Sequence, residues 1–214
     1  MRRIDKGMEP ASLTSLKRSN RTMVYRDLPP QERQSIRSSC ISEQFGLCAY
    51  CCQSITVDNA HNEHLEAQDR APNRTLEFSN IVASCEHRQQ CGHGRRTRHL
   101  PLTPLMAECE TELKFYLSGL VEGKTERARI SIETLNLGHT ETSNRMLVSR
   151  RKAMVDILIY NQYSQSASPD DLQFEDEETL KLLLEELKVP NAEQCLQPFS
   201  PVLINVIHHF LTQA

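Results

Sequence analysis

Two cysteine pairs constrain this 214-residue chain more than any other feature. Cys48-Ala-Tyr-Cys51 leaves two residues between its thiols, and Cys85 and Cys91 follow with a longer spacer. A two-residue spacer lets the chain curl until both thiolates face one ion, and zinc takes four N or S ligands in a tetrahedral array. The pattern predicts a structural zinc site made of Cys48, Cys51, Cys85 and Cys91. Two variants of that set stay open: Cys52 in place of Cys51, and His87 in place of Cys91. The remaining thiols, Cys40, Cys52, Cys109 and Cys195, read as small buried apolar residues. A closed four-sulfur site has no position for water, so the ion staples the fold and the chemistry must lie elsewhere.

Tryptophan is absent and aromatic residues are sparse, so the core must be built from Leu, Ile and Val. The net charge of −3 does not by itself mark a nucleic-acid binder. Its distribution says more. Residues 1–30 carry seven Lys/Arg against three acids, Arg88, Arg95, Arg96 and Arg98 crowd the end of the cysteine arc, and residues 170–193 hold nine acids and two lysines. A basic front suits phosphates and an acidic back suits a basic partner. No apolar run reaches the length of a membrane span, and no signal-like stretch follows Met1. The expectation is a cytoplasmic protein without a membrane partner, in a compartment where thiols stay reduced.

The expected architecture is α+β, with a small zinc-stapled core and a mainly helical C-terminal region. Three parts are expected: a basic, extended N-terminal arm over 1–30, a zinc-containing domain over 31–104, and a helical, partner-binding region over 105–214. A helix is expected over 30–46, a β-hairpin or irregular strand pair over 54–65, a loop over 69–74, and a helical turn within 76–84. Further on, the pattern predicts a small hairpin around Ser118 and Gly119, helices over 124–137, 142–160, 175–187 and 200–211, and a polar linker over 164–171.

Inside the arc lie Glu63-His64, Asn80 and His93. Hydrolysis of a phosphodiester needs a base for water and a hard cation to stabilise charge on the phosphate and leaving oxygen. A neutral imidazole can do the first near neutral pH, and a carboxylate can hold Mg²⁺ or Mn²⁺. Adjacent residues on a strand point to opposite faces, so Glu63-His64 carries weight only through its place between the cysteine pairs.

In that order the residues resemble the HNH endonucleases, whose active site is a ββα-metal unit. Cys48-Ala-Tyr-Cys51, Glu63-His64, Phe78-Ser-Asn-Ile-Val-Ala-Ser-Cys85 and Cys91-Gly-His93 with the basic residues after it carry the resemblance. It implies His64 as general base, Asn80 as the residue fixing the loop between the strands and the helix, and Glu63 with His93 as holders of the catalytic Mg²⁺ or Mn²⁺. The N-terminal Met1-Arg-Arg-Ile-Asp-Lys-Gly-Met-Glu-Pro, Phe115-Tyr-Leu-Ser-Gly, Ile132-Glu-Thr-Leu-Asn-Leu and Arg145 extend it to the PtuB-like proteins of Septu and retron anti-phage systems. This closer resemblance covers residues 1–160. It implies a defence effector that hydrolyses DNA or transfer RNA and is regulated by a PtuA-like ATPase of the ABC/SMC kind. In retron versions a reverse transcriptase and its msDNA would join it. A different reading of the same residues is a non-catalytic zinc module that binds nucleic acid or serves as an adaptor.

Overall fold

The computed structural model describes residues 1–160 and 177–212. Its centre is a two-stranded antiparallel sheet, β1 (Ala60–His64) and β2 (Ile81–Cys85), paired from Ala60 opposite Cys85 to His64 opposite Ile81. Strand alternation splits β1 into two faces, Ala60, Asn62 and His64 on one and His61 and Glu63 on the other. Helix α1 (Ala11–Ser19) precedes α2 (Pro30–Glu43), and α2 packs on the sheet. Pro30 presets the backbone of the first turn of α2, where its missing N–H is no loss. Ile36 and Cys40 are the fully buried apolar residues of that helix.

Gln44, just past the end of α2, completes the edge of β2 with its side chain. Its Nε2 donates to the carbonyls of Leu47 and Ala83, and its Oε1 accepts from the Ala83 N–H at 2.8 Å. The Ala49 N–H also reaches the Ala83 carbonyl, so the first cysteine knuckle is fastened to β2 through its backbone. Strand β2 is buried at all five positions, which gives its polar backbone no water to fall back on and makes these bonds obligatory.

A short helix, α3 (Cys91–Arg95), follows β2 on the His61 and Glu63 face, and the Gly92 N–H donates to Ser84 Oγ. The second sheet is the hairpin β3 (Leu113–Phe115) and β4 (Val121–Gly123). Gly119 closes its turn at φ +83°, where a Cβ would stand 2.2 Å from the Val148 carbonyl oxygen. Helices α4 (Glu126–Thr134), α5 (Arg145–Tyr160), α6 (Glu177–Glu186) and α7 (Ser200–Leu211) complete the described chain. The hairpin and the four helices match the expected elements to within a few residues. The polar linker expected over 164–171 lies outside the described residues.

Three expectations fail. Residues 1–30 are not an extended arm: they contain α1 and bury Met1, Ile4, Leu13 and Leu28 in the main core. Several of their cations are already paired, Lys6 with Glu43 at 2.6 Å and Lys17 with Glu9 at 2.6 Å. Lys6 also donates to the Ile81 carbonyl and lies 3.6 Å from the Phe78 ring centroid, so it is an internal strut rather than a phosphate contact. Residues 54–58 do not form a strand with β1; Ser54 makes a single bridge to Leu47, and β1 pairs with β2 across a loop. Residues 81–84, expected as part of a helical turn, are β2 itself; only Phe78–Asn80 make a tight turn before it. The β-branched pair Ile81 and Val82 suits a strand with both faces covered, and a short apolar run of that kind has no period to tell strand from helix.

Candidate functional site

The four cysteines expected as zinc ligands converge. Their sulfurs all lie within 4.8 Å of one another and all four are buried. Tetrahedral Zn–S bonds of about 2.3 Å place ligand sulfurs about 3.8 Å apart. The Cys48–Cys91 and Cys51–Cys85 Sγ separations are both 3.9 Å, so the set fits a metal such as zinc. Both open variants are resolved by position. Cys52 turns away at φ +63° to join Leu47 and Leu196 in a separate apolar cluster, and Cys91, not His87, completes the four.

Hydrogen bonds from Cys48, Cys51 and Cys91 hold Cys85 far below the ordinary thiol range. Burial opposes ionisation of Cys48, yet hydrogen bonds from Cys51 and Cys91 overcome it and its pKa is lowered. Burial pushes Cys51 and Cys91 well up. Donors that favour thiolate stand around the cluster: the Cys85 N–H to Cys48 Sγ, Gln90 Nε2 to Cys85 Sγ, and Gln53 Nε2 to Cys51 Sγ. Such bonds orient ligands and stabilise their negative charge.

A second cluster forms on the outward face of the sheet. His61, Glu86 and His93 each offer one atom within 4.8 Å of the others. His93 Nε2 is 2.8 Å from Glu86 Oε2, His61 Nδ1 is 3.6 Å from Glu86 Oε1, and the two imidazole rings are 4.2 Å apart at their centroids. Burial works against the Glu86 carboxylate, but the His93 hydrogen bond and the nearby His61 bring its pKa below the usual range. His61 Nδ1 is a buried atom with no hydrogen-bond partner among the described residues. An orphaned nitrogen facing a carboxylate and a second imidazole is a donor set that fits a divalent cation. Three protein ligands, two of them exposed residues, leave further coordination positions for water or phosphate oxygens. This is the opposite of the closed sulfur site.

Strand register builds this cluster. His61 and Glu63 share a face as i and i+2, and the Glu86 N–H pairs with the Asn59 carbonyl, which carries the ladder one step past Cys85 and puts Glu86 on the face of Ser84, opposite His61. Gly92 lets α3 lie close: a Cβ there would stand 2.6 Å from both Glu63 Oε2 and His61 Nε2. His61 and Glu86 were not singled out from the sequence, although the i, i+2 relation of His61 to Glu63 could have flagged the former.

Glu63, expected to hold the catalytic metal, is committed inward. Its Oε1 accepts from Arg95 at 2.8 Å and lies 3.4 Å from the Tyr50 hydroxyl, while Oε2 stands 3.7 Å from His61 Nε2. That geometry places Glu63 behind His61, beside its Nε2 and away from the Glu86 and His93 donors. Arg95, counted among the basic flank, is 1% exposed and also donates to the His64 and Leu65 carbonyls. It is unavailable to phosphate, whereas Arg88 and Arg96 are exposed.

His64 and His93 do not meet. His64 lies on the other face of β1, edge-on to Tyr25 at 4.7 Å, with Nε2 at 2.9 Å from the Thr75 carbonyl and Nδ1 at 3.3 Å from Gln68 Nε2. Burial lowers its pKa, which keeps the ring neutral at neutral pH. Asn80 is 1% exposed and pins the loop that follows β1, accepting from the Glu66 N–H at 2.8 Å and donating to the Glu66 and Arg74 carbonyls. The loop it fixes joins the two strands, not the strands to the helix. Asn80→Ala strands those backbone groups, and a loss of about 3 kcal/mol in stability is expected from urea denaturation.

No protein-family model matches the chain. Among curated proteins it is similar to the "Retron Vc95 putative HNH endonuclease" of Vibrio cholerae serotype O1 biovar El Tor, 26% identical over 144 residues, an alignment spanning 60% of this chain and 67% of that one. Among the described residues, no helix is long and apolar enough to cross a membrane.

Proposed function

We propose that the chain is a metal-dependent HNH endonuclease that serves as the effector of a retron-type anti-phage system. The observation that carries this reading is the pairing of two unlike clusters on one strand–strand–helix unit: a closed four-cysteine site and, on the outward face of the sheet, an open His61–Glu86–His93 site. The similarity to the Vibrio cholerae retron protein supports it. A Mg²⁺ or Mn²⁺ ion held by His61, Glu86 and His93 would supply charge stabilisation at the phosphate and the leaving oxygen. Glu63, clamped by Arg95, orients His61.

For the base, the resemblance favours His64, which ends β1 on the face away from the His61–Glu86–His93 cluster, so it and an ion there would serve one phosphate only where the substrate backbone passes the end of that strand. With Nε2 donating to Thr75, the basic lone pair is on Nδ1, which Gln68 now covers and which must be opened to water. The substrate on this reading is DNA or transfer RNA. The closer PtuB-like assignment adds a PtuA-like ATPase that restrains the nuclease, docked on the N-terminal residues 1–30 and the helical region over 105–214.

The test is reconstitution with the neighbouring ATPase, scoring metal-dependent cleavage of plasmid DNA and total transfer RNA by wild type and His64→Ala. Loss of cleavage with the fold retained is expected of His64→Ala. Full activity of that variant alongside an inactive His93→Ala would move the base into the histidine cluster, and no cleavage by wild type of either substrate would favour the non-catalytic zinc module instead.

A further inference from the structure

A cleft of about 540 Å³ opens between α7, the β3 strand, the end of α6 and the N-terminal residues, on elements separate from both cysteine and histidine clusters. Its lining gathers Arg2, Lys114, Lys124, Lys188, His208 and His209 against one acid, Glu110. That acid already accepts from the Arg3 backbone N–H. Lys188 is paired with Glu185 at 2.7 Å, whereas Lys114 and Lys124 form no ion pair with any carboxylate among the described residues; Lys114 lies over the Tyr116 ring. The two lysines act on His209, whose pKa is lowered first by desolvation and then by their charge. Two lysines of one cleft without a carboxylate partner favour an anionic occupant.

Leu187, Leu196, Pro201 and Ile204 add apolar lining to the same cleft. Ser200, fully buried at the start of α7, also lines it, and its Oγ has no hydrogen-bond partner among the described residues. Asn205 is already occupied: it accepts from the Phe115 N–H and donates to the Leu113 carbonyl, so it braces the wall rather than offering itself to a ligand.

We propose that this cleft binds a free nucleotide, its phosphates against Lys114, Lys124 and His208 and its base against the apolar lining. Cleft volume, unpaired lysines and apolar lining residues match a ligand that is compact, multiply anionic and planar at one end. The site stands apart from the nuclease reading and does not depend on it.

The full-length protein is titrated with fluorescent N-methylanthraniloyl ATP and GTP, with competition by ATP, GTP, pyrophosphate and a 5′-phosphorylated oligonucleotide. Saturable binding is expected, displaced by the nucleoside triphosphates, weakened tenfold or more in Lys114→Ala/Lys124→Ala, and unchanged in His93→Ala. Lys124 and Lys188 are exposed and Lys114 is half-buried, and Lys188→Ala/His208→Ala gives a second variant should the first melt early. Absence of saturable binding up to millimolar nucleotide, or equal affinity in both variants, overturns the proposal. So does displacement by pyrophosphate as effective as by ATP, which would leave an anion site without a base subsite, or displacement by the oligonucleotide alone.

Discussion

Cys91→Ser should cost this protein its fold as well as its metal. The four sulfurs lie within 4.8 Å of one another and are buried with the core residues around β2. Structural zinc contributes about 10–16 kcal/mol of folding free energy in small domains, as large as the whole net stability of a typical domain, about 5–15 kcal/mol. The same loss is expected of Cys48→Ser, Cys51→Ser and Cys85→Ser, and of wild type treated with a strong chelator. Metal content by mass spectrometry should fall from one zinc per chain to none, with the thermal transition lost or shifted far down. Cys195→Ser is the control: it is half-buried and outside the cluster, so its melting temperature should barely move. Native-like melting of Cys91→Ser without zinc would refute the staple.

His93→Ala should do the reverse, leaving the fold and silencing cleavage. His93 is exposed, 41% at its side chain, and its hydrogen bond is to Glu86 at the surface, so truncation leaves no buried cavity. Partners that merely orient a metal ligand are worth about 10–100-fold, so loss of a ligand should lower cleavage on the order of a hundredfold or more. His61→Ala and Glu86→Ala should match it. Calorimetric titration with Mn²⁺ separates the cause: weakened binding in all three, with unaltered zinc content, places the ion at this cluster. If all three variants bind Mn²⁺ as wild type does, the ion lies elsewhere.

These two experiments divide the arc along a line that the linear order of residues only half revealed. The Cys48 and Cys51 spacing was legible because a tetrahedral ion imposes a local geometry that two intervening residues satisfy. Cys85 and Cys91 were legible for the same reason, although their longer spacer left His87 in contention until tertiary placement excluded it. The helices over α2, α4, α5, α6 and α7 and the Gly119 hairpin followed from apolar period and turn chemistry, both local properties. Strand β2 did not, since Ile81-Val-Ala carries no period of its own and takes its state from pairing with β1. The basic count of residues 1–30 misled because a cation's role depends on its partner, and Lys6 finds Glu43, a residue 37 positions away.

The amino-acid sequence by itself determined that four thiols would gather in a set that fits one metal ion and that Glu63, His64, Asn80 and His93 would be held within that arc. Only the tertiary structure decided which of them face one another. Antiparallel register puts His61 and Glu86 beside His93, sets Glu63 behind His61 under the Arg95 clamp, and turns His64 to the opposite face. Alternation along a strand is strict, so a one-residue step reverses a side chain's direction, and the cross-strand neighbour it then meets is set by pairing over a loop and not by anything local to either segment.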